Sequence, residues 1–272
     1  METQEFEKFL YIHKGLQPVT VKGHVSAILR INRRLNCNLT KESVENYVFA
    51  LYQSNYSYTH KINQVKAIEY WFEFSGQPLH FARQRKPRPI IKQTLSEAEV
   101  TRLLFCCQNV REKAIMGLLA YSGLRPKELC NVKVQDIDFG SNELRVICGK
   151  GLKDNVIYIS NSCAKILLEY LAIHKRSPEA LMFNTFDNLR PLKQGCLRKL
   201  VKVLARRAKL TKRVWPYNLR HSLATSMMNR GADILTVKSQ LRHVFIETTM
   251  CYISALGYCA KNKYEQFVPS YI

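Results

Sequence analysis

Apolar positions in the first 82 residues return at three- and four-residue steps, as in Val21, Val25, Ile28 and Leu29 with Leu35 beyond. That period puts them on one face of a helix. It recurs over residues 5–13, 19–35, 41–52 and 59–74, and alternating β-branched runs are scarce, so this segment is predicted to be all helical. Thr40 is placed to cap the third helix. The pattern stops at Arg83-Gln84-Arg85-Lys86-Pro87-Arg88-Pro89. Two prolines and four cations in seven residues cannot continue a helix. Residues 83–93 therefore read as an extended basic linker, with an ordinary surface loop as the alternative.

A new helical pattern follows Ser96. Ser96-Glu97-Ala98-Glu99 is a capping box ahead of an apolar face of Val100, Leu103 and Leu104. Residues 111–121 predict a largely buried helix that Gly123 ends, and Pro126 suits the first turn of a short successor. Residues 143–148 and 155–160 alternate like strands around Gly149-Lys150-Gly151, which predicts a β-hairpin with a basic tip. Helical patterns then occupy residues 161–175, 195–209, 219–230, 233–242 and 246–253. The expected fold is mainly α with a small β-hairpin or sheet (α+β). An all-helical domain (1–82) is expected to precede a mixed, mostly helical domain (94–272).

Composition narrows the setting. Hydrophobic residues make up 46% of the 272, enough to build a core and too much for a disordered chain. No apolar run approaches the about 20 residues of a membrane span. Glu2, Glu5 and Glu7 precede no apolar segment of the kind a signal peptide carries. The nine cysteines have no metal-ligand spacing, so buried thiols in a reducing cytoplasm are expected, without zinc or disulfides.

Charge points to a partner. The 42 Lys and Arg against 21 Asp and Glu leave a net +21, which suits a polyanion. Nucleic acid is the leading candidate, and an anionic membrane surface is the rival. Between Asn188 and Ala232 there are twelve basic residues and no Asp or Glu. Lys199, Lys202, Arg206 and Lys209 can share one helix face there and are candidate duplex contacts, as are Arg85, Lys86 and Arg88 in the linker.

The usual devices for phosphate chemistry are missing. Asp136 and Asp138 are the one tempting carboxylate pair, read either as a metal site or as strand-end structural acids. The Gly149-Lys150-Gly151 segment lacks the remainder of a P-loop. What stands out instead is cationic and phenolic: LLAYSGLRPKELCNVKVQDID over 118–138, CGKGLK over 148–153, WPYNLRHSLAT over 215–225 and LRHVFIETTMCY over 241–252. In this order the four blocks resemble the tyrosine recombinase (phage integrase) family over about residues 94–256. The resemblance over 1–82 rests on a helical, basic domain of the right size.

The resemblance implies an active site of Arg125, Lys150, Arg220, His243 and Tyr252. Glu128 would steady Arg125 or serve only as its structural ion-pair partner. Tyr217 stands where the family's third block usually opens with His, and Arg242 where its last block usually has Gly. His221 follows Arg220, but on a helix it points about 100° away from it. The implied reaction is site-specific DNA cleavage and rejoining through a 3′-phosphotyrosyl link, with no metal, ATP or other cofactor. Tyr217 in place of His implies a slower but competent enzyme. The implied partners are a double-stranded recombination site, a homo-tetramer assembled on two such sites from monomers, and accessory DNA-bending proteins, in a prokaryotic or mobile-element setting. Two rivals stay open: a type IB topoisomerase-like activity and a DNA-binding regulator that has lost catalysis.

Overall fold

The first unit, Met1–Pro89, is built from α1 (Thr3–Ile12), α2 (Pro18–Arg34), α3 (Lys41–Gln53) and α4 (Tyr58–Phe74). The structure is a computed structural model and describes residues 2–87, 94–147, 155–185, 190–243 and 249. The apolar periodicity predicted these four helices, each within two residues at either end. Their buried faces meet in a core that includes Phe6, Leu10, Val21, Ile28, Ile31, Val48, Ile68 and Phe72. The Trp71 ring meets Phe6 edge-on at 5.1 Å. Thr40 caps α3 as expected: its hydroxyl accepts the Ser43 N–H at 3.3 Å. Arg85 and Lys86 lie exposed in a stretch without helix or strand, and Arg88 is outside the described residues.

The second unit, Ile90–Ile272, holds α5 (Glu97–Phe105), α6 (Val110–Ser122), α7 (Pro126–Leu129), a 3₁₀ turn (Val134–Asp136), β1 (Ile137–Asp138), β2 (Glu143–Val146), β3 (Asn155–Tyr158), α8 (Asn161–Ile173), α9 (Gln194–Arg207), α10 (Pro216–Asn229) and α11 (Ile234–Leu241). The strands form an antiparallel sheet in the order β1-β2-β3, with Leu144 opposite both Ile137 and Ile157. Helix α6 is buried along most of its length and packs on α8 and α10. The overall class is the one expected, mainly helical with a small antiparallel sheet.

Some expectations are corrected. Strand β1 was not foreseen, because two residues are too few to show alternation. Asp136 lies in the 3₁₀ turn, where its carboxylate accepts the Lys133 N–H at 2.8 Å; it is not on a strand. Asp138 accepts the Gly140 N–H at 2.8 Å, and the Gly140 and Ser141 N–H groups hold its pKa below the usual carboxylate range. Both carboxylates accept backbone N–H groups of their own turns, which suits the structural alternative; no cluster of three or more His, Cys, Asp or Glu able to hold a metal occurs among the described residues. Helix α9 ends at Arg207, and Lys209 takes a left-handed φ of 50°, so the predicted four-residue basic stripe loses its last member to a turn. Helix α10 starts three residues earlier than expected, since Pro216 is favoured in a first turn.

The cysteines are less uniformly buried than expected: Cys37 and Cys196 are exposed, while Cys130 and Cys163 are buried. Burial raises the Cys163 thiol to about 12 and the Cys130 thiol to about 11, so both are protonated and inert at neutral pH. The expected basic hairpin tip lies outside the described residues, as does the helix predicted over 246–253 apart from the buried, helical Thr249. Among the described residues no helix is long and apolar enough to cross a membrane.

Candidate active site

Arg125 owes its position to its neighbours. Gly123 closes α6 in the left-handed conformation, φ 69°, as a C-terminal glycine commonly does. Pro126 opens α7 and disfavours helical backbone at the residue before it. Arg125 is accordingly extended, φ −71° and ψ 149°. Its backbone N–H donates to Glu128 Oε2 at 2.7 Å, and its Nη1 donates to Glu128 Oε1 at 2.7 Å. Its Nη2 donates to the Arg242 carbonyl at 3.3 Å. The side chain remains 37% exposed, so a held guanidinium still faces outward.

Arg220 is buried in the middle of α10 and 3% exposed. Its Nη1 donates to the Gly123 carbonyl and its Nη2 to the Leu241 carbonyl. Backbone carbonyls orient a guanidinium without cancelling its charge. Helix α10 packs on both α6 and α11, which brings these two carbonyls within reach of one side chain.

The third contributor is the end of α11. Asp233 caps its start, accepting the Leu235 and Thr236 N–H groups at 2.8 and 2.9 Å. At its other end Arg242 takes a left-handed conformation, φ 54° and ψ 50°. That costs a residue with a Cβ roughly 1–2 kcal/mol. The turn carries the chain into His243, whose N–H donates to the Lys238 carbonyl at 3.1 Å. His243 is buried, with Nδ1 2.8 Å from Thr249 Oγ1.

Residues 241–243 therefore gather three of the predicted site residues: Leu241 accepts from Arg220, Arg242 accepts from Arg125, and His243 follows directly. Glu128 sits against Arg125, as expected. Lys150 and Tyr252 lie outside the described residues.

Tyr217 and His221 fall one turn apart on α10 and line an open cavity of about 580 Å³, together with Pro126, Arg198, Arg213 and Trp215. Tyr217 is 50% exposed, so it is a surface residue beside Pro126 and not a core tyrosine. The Arg213 guanidinium lies 4.4 Å from the Trp215 ring centre, within cation–π range. Lys199, Lys202 and Arg206 are all exposed on α9. Sequence reasoning missed two contributors. The Arg242 side chain is an ion-pair partner of Glu128, and only a cation at a glycine-like position hinted at it. Gln240 accepts the Tyr158 N–H at 3.2 Å and donates to the carbonyls of Tyr158 and Ser122, linking β3 to α6; no spacing signalled this.

Comparison with known proteins gives a consistent result. The sequence profile of the phage integrase family matches residues 93–256. A tyrosine recombinase, XerA, of Pyrococcus horikoshii is 32% identical over 209 residues, covering 76% of this chain and 73% of its own length. The crystal structure of XerA recombinase matches with a TM-score of 0.59 and 28% identity, over 99% of this chain and 100% of that one. The pre-cleavage complex of the XerH site-specific recombinase bound to difH substrate matches with a TM-score of 0.72, over 98% of this chain and 84% of that one; at 18% identity this is a likeness of fold.

Proposed function

The chain belongs to the phage integrase family, and on that premise we propose that it is a site-specific DNA recombinase that cuts and rejoins duplex DNA through Tyr252. The observation that carries this reading is the convergence of Arg125 and Arg220 on consecutive carbonyls of the turn that leads into His243. A scissile phosphodiester carries one negative charge, and its five-coordinate transition state carries more. Two guanidinium groups fixed by carbonyls and a carboxylate can donate to its non-bridging oxygens in pairs. Because they are oriented before the substrate arrives, they stabilise developing charge without reorganising. His243 adds a hydrogen bond from an imidazole fixed by Thr249.

In this reading the Tyr252 phenol gives up its proton to solvent water as its oxygen bonds to phosphorus and the P–O5′ bond breaks. Lys150 gives a proton to the departing 5′-oxygen, leaving a 3′-phosphotyrosyl link and a free 5′-hydroxyl. The phosphoester bond is exchanged and not hydrolysed, so rejoining is the same step reversed and consumes no ATP. Tyr217, at the family's usual His position, donates a hydrogen bond to the phosphate and contributes little as a base. The first unit and Lys199, Lys202 and Arg206 hold the duplex. Four copies on two sites carry out one exchange.

The test is an adduct. The protein is incubated with a nicked duplex that it has itself selected from a random-sequence pool. A denaturant-resistant protein–DNA adduct that Tyr252→Phe abolishes, with strand exchange between two such sites, is the expected result. Relaxation of supercoils without site preference would indicate a topoisomerase. Binding with no adduct would indicate a regulator and overturn the proposal.

A further inference from the structure

Glu128 is shared by two guanidinium groups. Its Oε1 accepts from Arg125 Nη1 at 2.7 Å, and its Oε2 accepts from the Arg125 backbone N–H and from Arg242 Nη2. The two cations differ in setting: the Arg242 side chain is 4% exposed, while that of Arg125 is 37% exposed. Arg242 lies behind the carboxylate, and Arg125 lies in front of it.

We propose that Arg242 is a positioning residue that keeps the charge of Arg125 available to a DNA phosphate by taking up the Glu128 carboxylate from behind. The inference rests on the phosphotyrosyl reading above. A carboxylate hydrogen-bonded to a guanidinium forms a nearly neutral pair, which attracts a phosphate weakly. Adding the second, buried guanidinium leaves the group of three with a net +1, presented outward through Arg125. The backbone supports the assignment. Residue 242 is left-handed, a conformation glycine adopts without penalty, and its carbonyl takes Arg125 Nη2 whatever the side chain. A glycine there would make the same turn at lower strain. What arginine supplies beyond the turn is the contact with Glu128, which joins residues 114 positions apart in the chain.

The charge argument and a merely structural role predict different behaviour of a double variant. Arg242→Gly and Arg242→Asn both suit a left-handed turn and both remove the charge. Each is expected to slow single-turnover cleavage of the selected nicked duplex by about tenfold or more. Glu128→Gln added to either should restore the rate to within about threefold of the wild type, because it removes the negative charge that Arg242 offsets. Arg242→Lys, which keeps the charge, should stay within the same range. Thermal melting of each variant identifies any loss due to unfolding. A wild-type rate in Arg242→Gly overturns the inference. So does a loss, in folded protein, that Glu128→Gln fails to restore, or a tenfold loss in folded Arg242→Lys. A wild-type protein that forms no adduct overturns the phosphotyrosyl reading and this inference with it.

Discussion

Arg125 and Arg220 reach the same turn by opposite means. Arg125 is extended because Pro126 follows it, and a carboxylate holds its partly exposed side chain. Arg220 is helical and buried, and carbonyls from two other elements hold it. The proposed reaction needs a tyrosine nucleophile to lose its proton, and Tyr217 stands where the family's third block usually opens with His. Tyr217 is half exposed beside Pro126, so an imidazole there would have access to the same cavity. Phenol accepts a proton poorly at neutral pH, whereas assisted proton transfer typically contributes about 10²–10⁴-fold. Tyr217→His is therefore expected to speed single-turnover adduct formation by about tenfold or more; an unchanged rate would refute the base argument. At this scale the sequence pointed to Arg125, Arg220 and His243 through the local spacing of their blocks, and the structure brings the three to one turn. The sequence could not show the Arg242 side chain on Glu128, since that contact depends on how α7 and the end of α11 pack and not on any local pattern.

The elements hold the site through Gly123. Its left-handed φ of 69° ends α6, its carbonyl takes the Arg220 guanidinium, and a Cβ there would lie 2.8 Å from Leu241 Cδ2 and 3.1 Å from Leu223 Cδ2. Gly123→Ala would add backbone strain of roughly 1–2 kcal/mol and push on the residue whose carbonyl holds the other half of Arg220. We expect a loss of about 2–3 kcal/mol in chemical denaturation, together with slower cleavage in the fraction that remains folded. An alanine variant as stable as the wild type would refute both the backbone strain and the clash with Leu241. Most of these elements were legible in the sequence because apolar periodicity and caps are local: Ser96 accepts the Glu99 N–H at 3.2 Å, as its capping box predicts. Strand β1 was not legible, since its two residues are defined by pairing with β2. The end of α9 was also missed: a left-handed Lys209 leaves no trace in hydrophobic spacing.

At the scale of the whole molecule, the net charge of +21 is not spread evenly between paired and unpaired cations. Arg207 pairs with Glu112 at 2.8 Å and Lys212 with Glu99 at 2.7 Å, so these two are partly neutralised. Lys199, Lys202 and Arg206, exposed on the same helix or at its end, make no ion pair with another described residue. Like charges on one helix face repel unless a polyanion offsets them, so this face gains from a duplex. Each phosphate neutralised releases counterions, and the logarithm of the binding constant falls with the logarithm of salt by about 0.9 per contact on B-DNA. Replacing all three with alanine should therefore weaken binding and make that slope shallower by about 2–3. The loss should be nearly the same for a selected site and a random duplex, because backbone contacts position a protein without reading bases. A titration over a range of salt concentrations measures both quantities. An unchanged slope would remove α9 from the DNA-binding surface. A loss confined to the selected site would instead make these three side chains readers of base sequence.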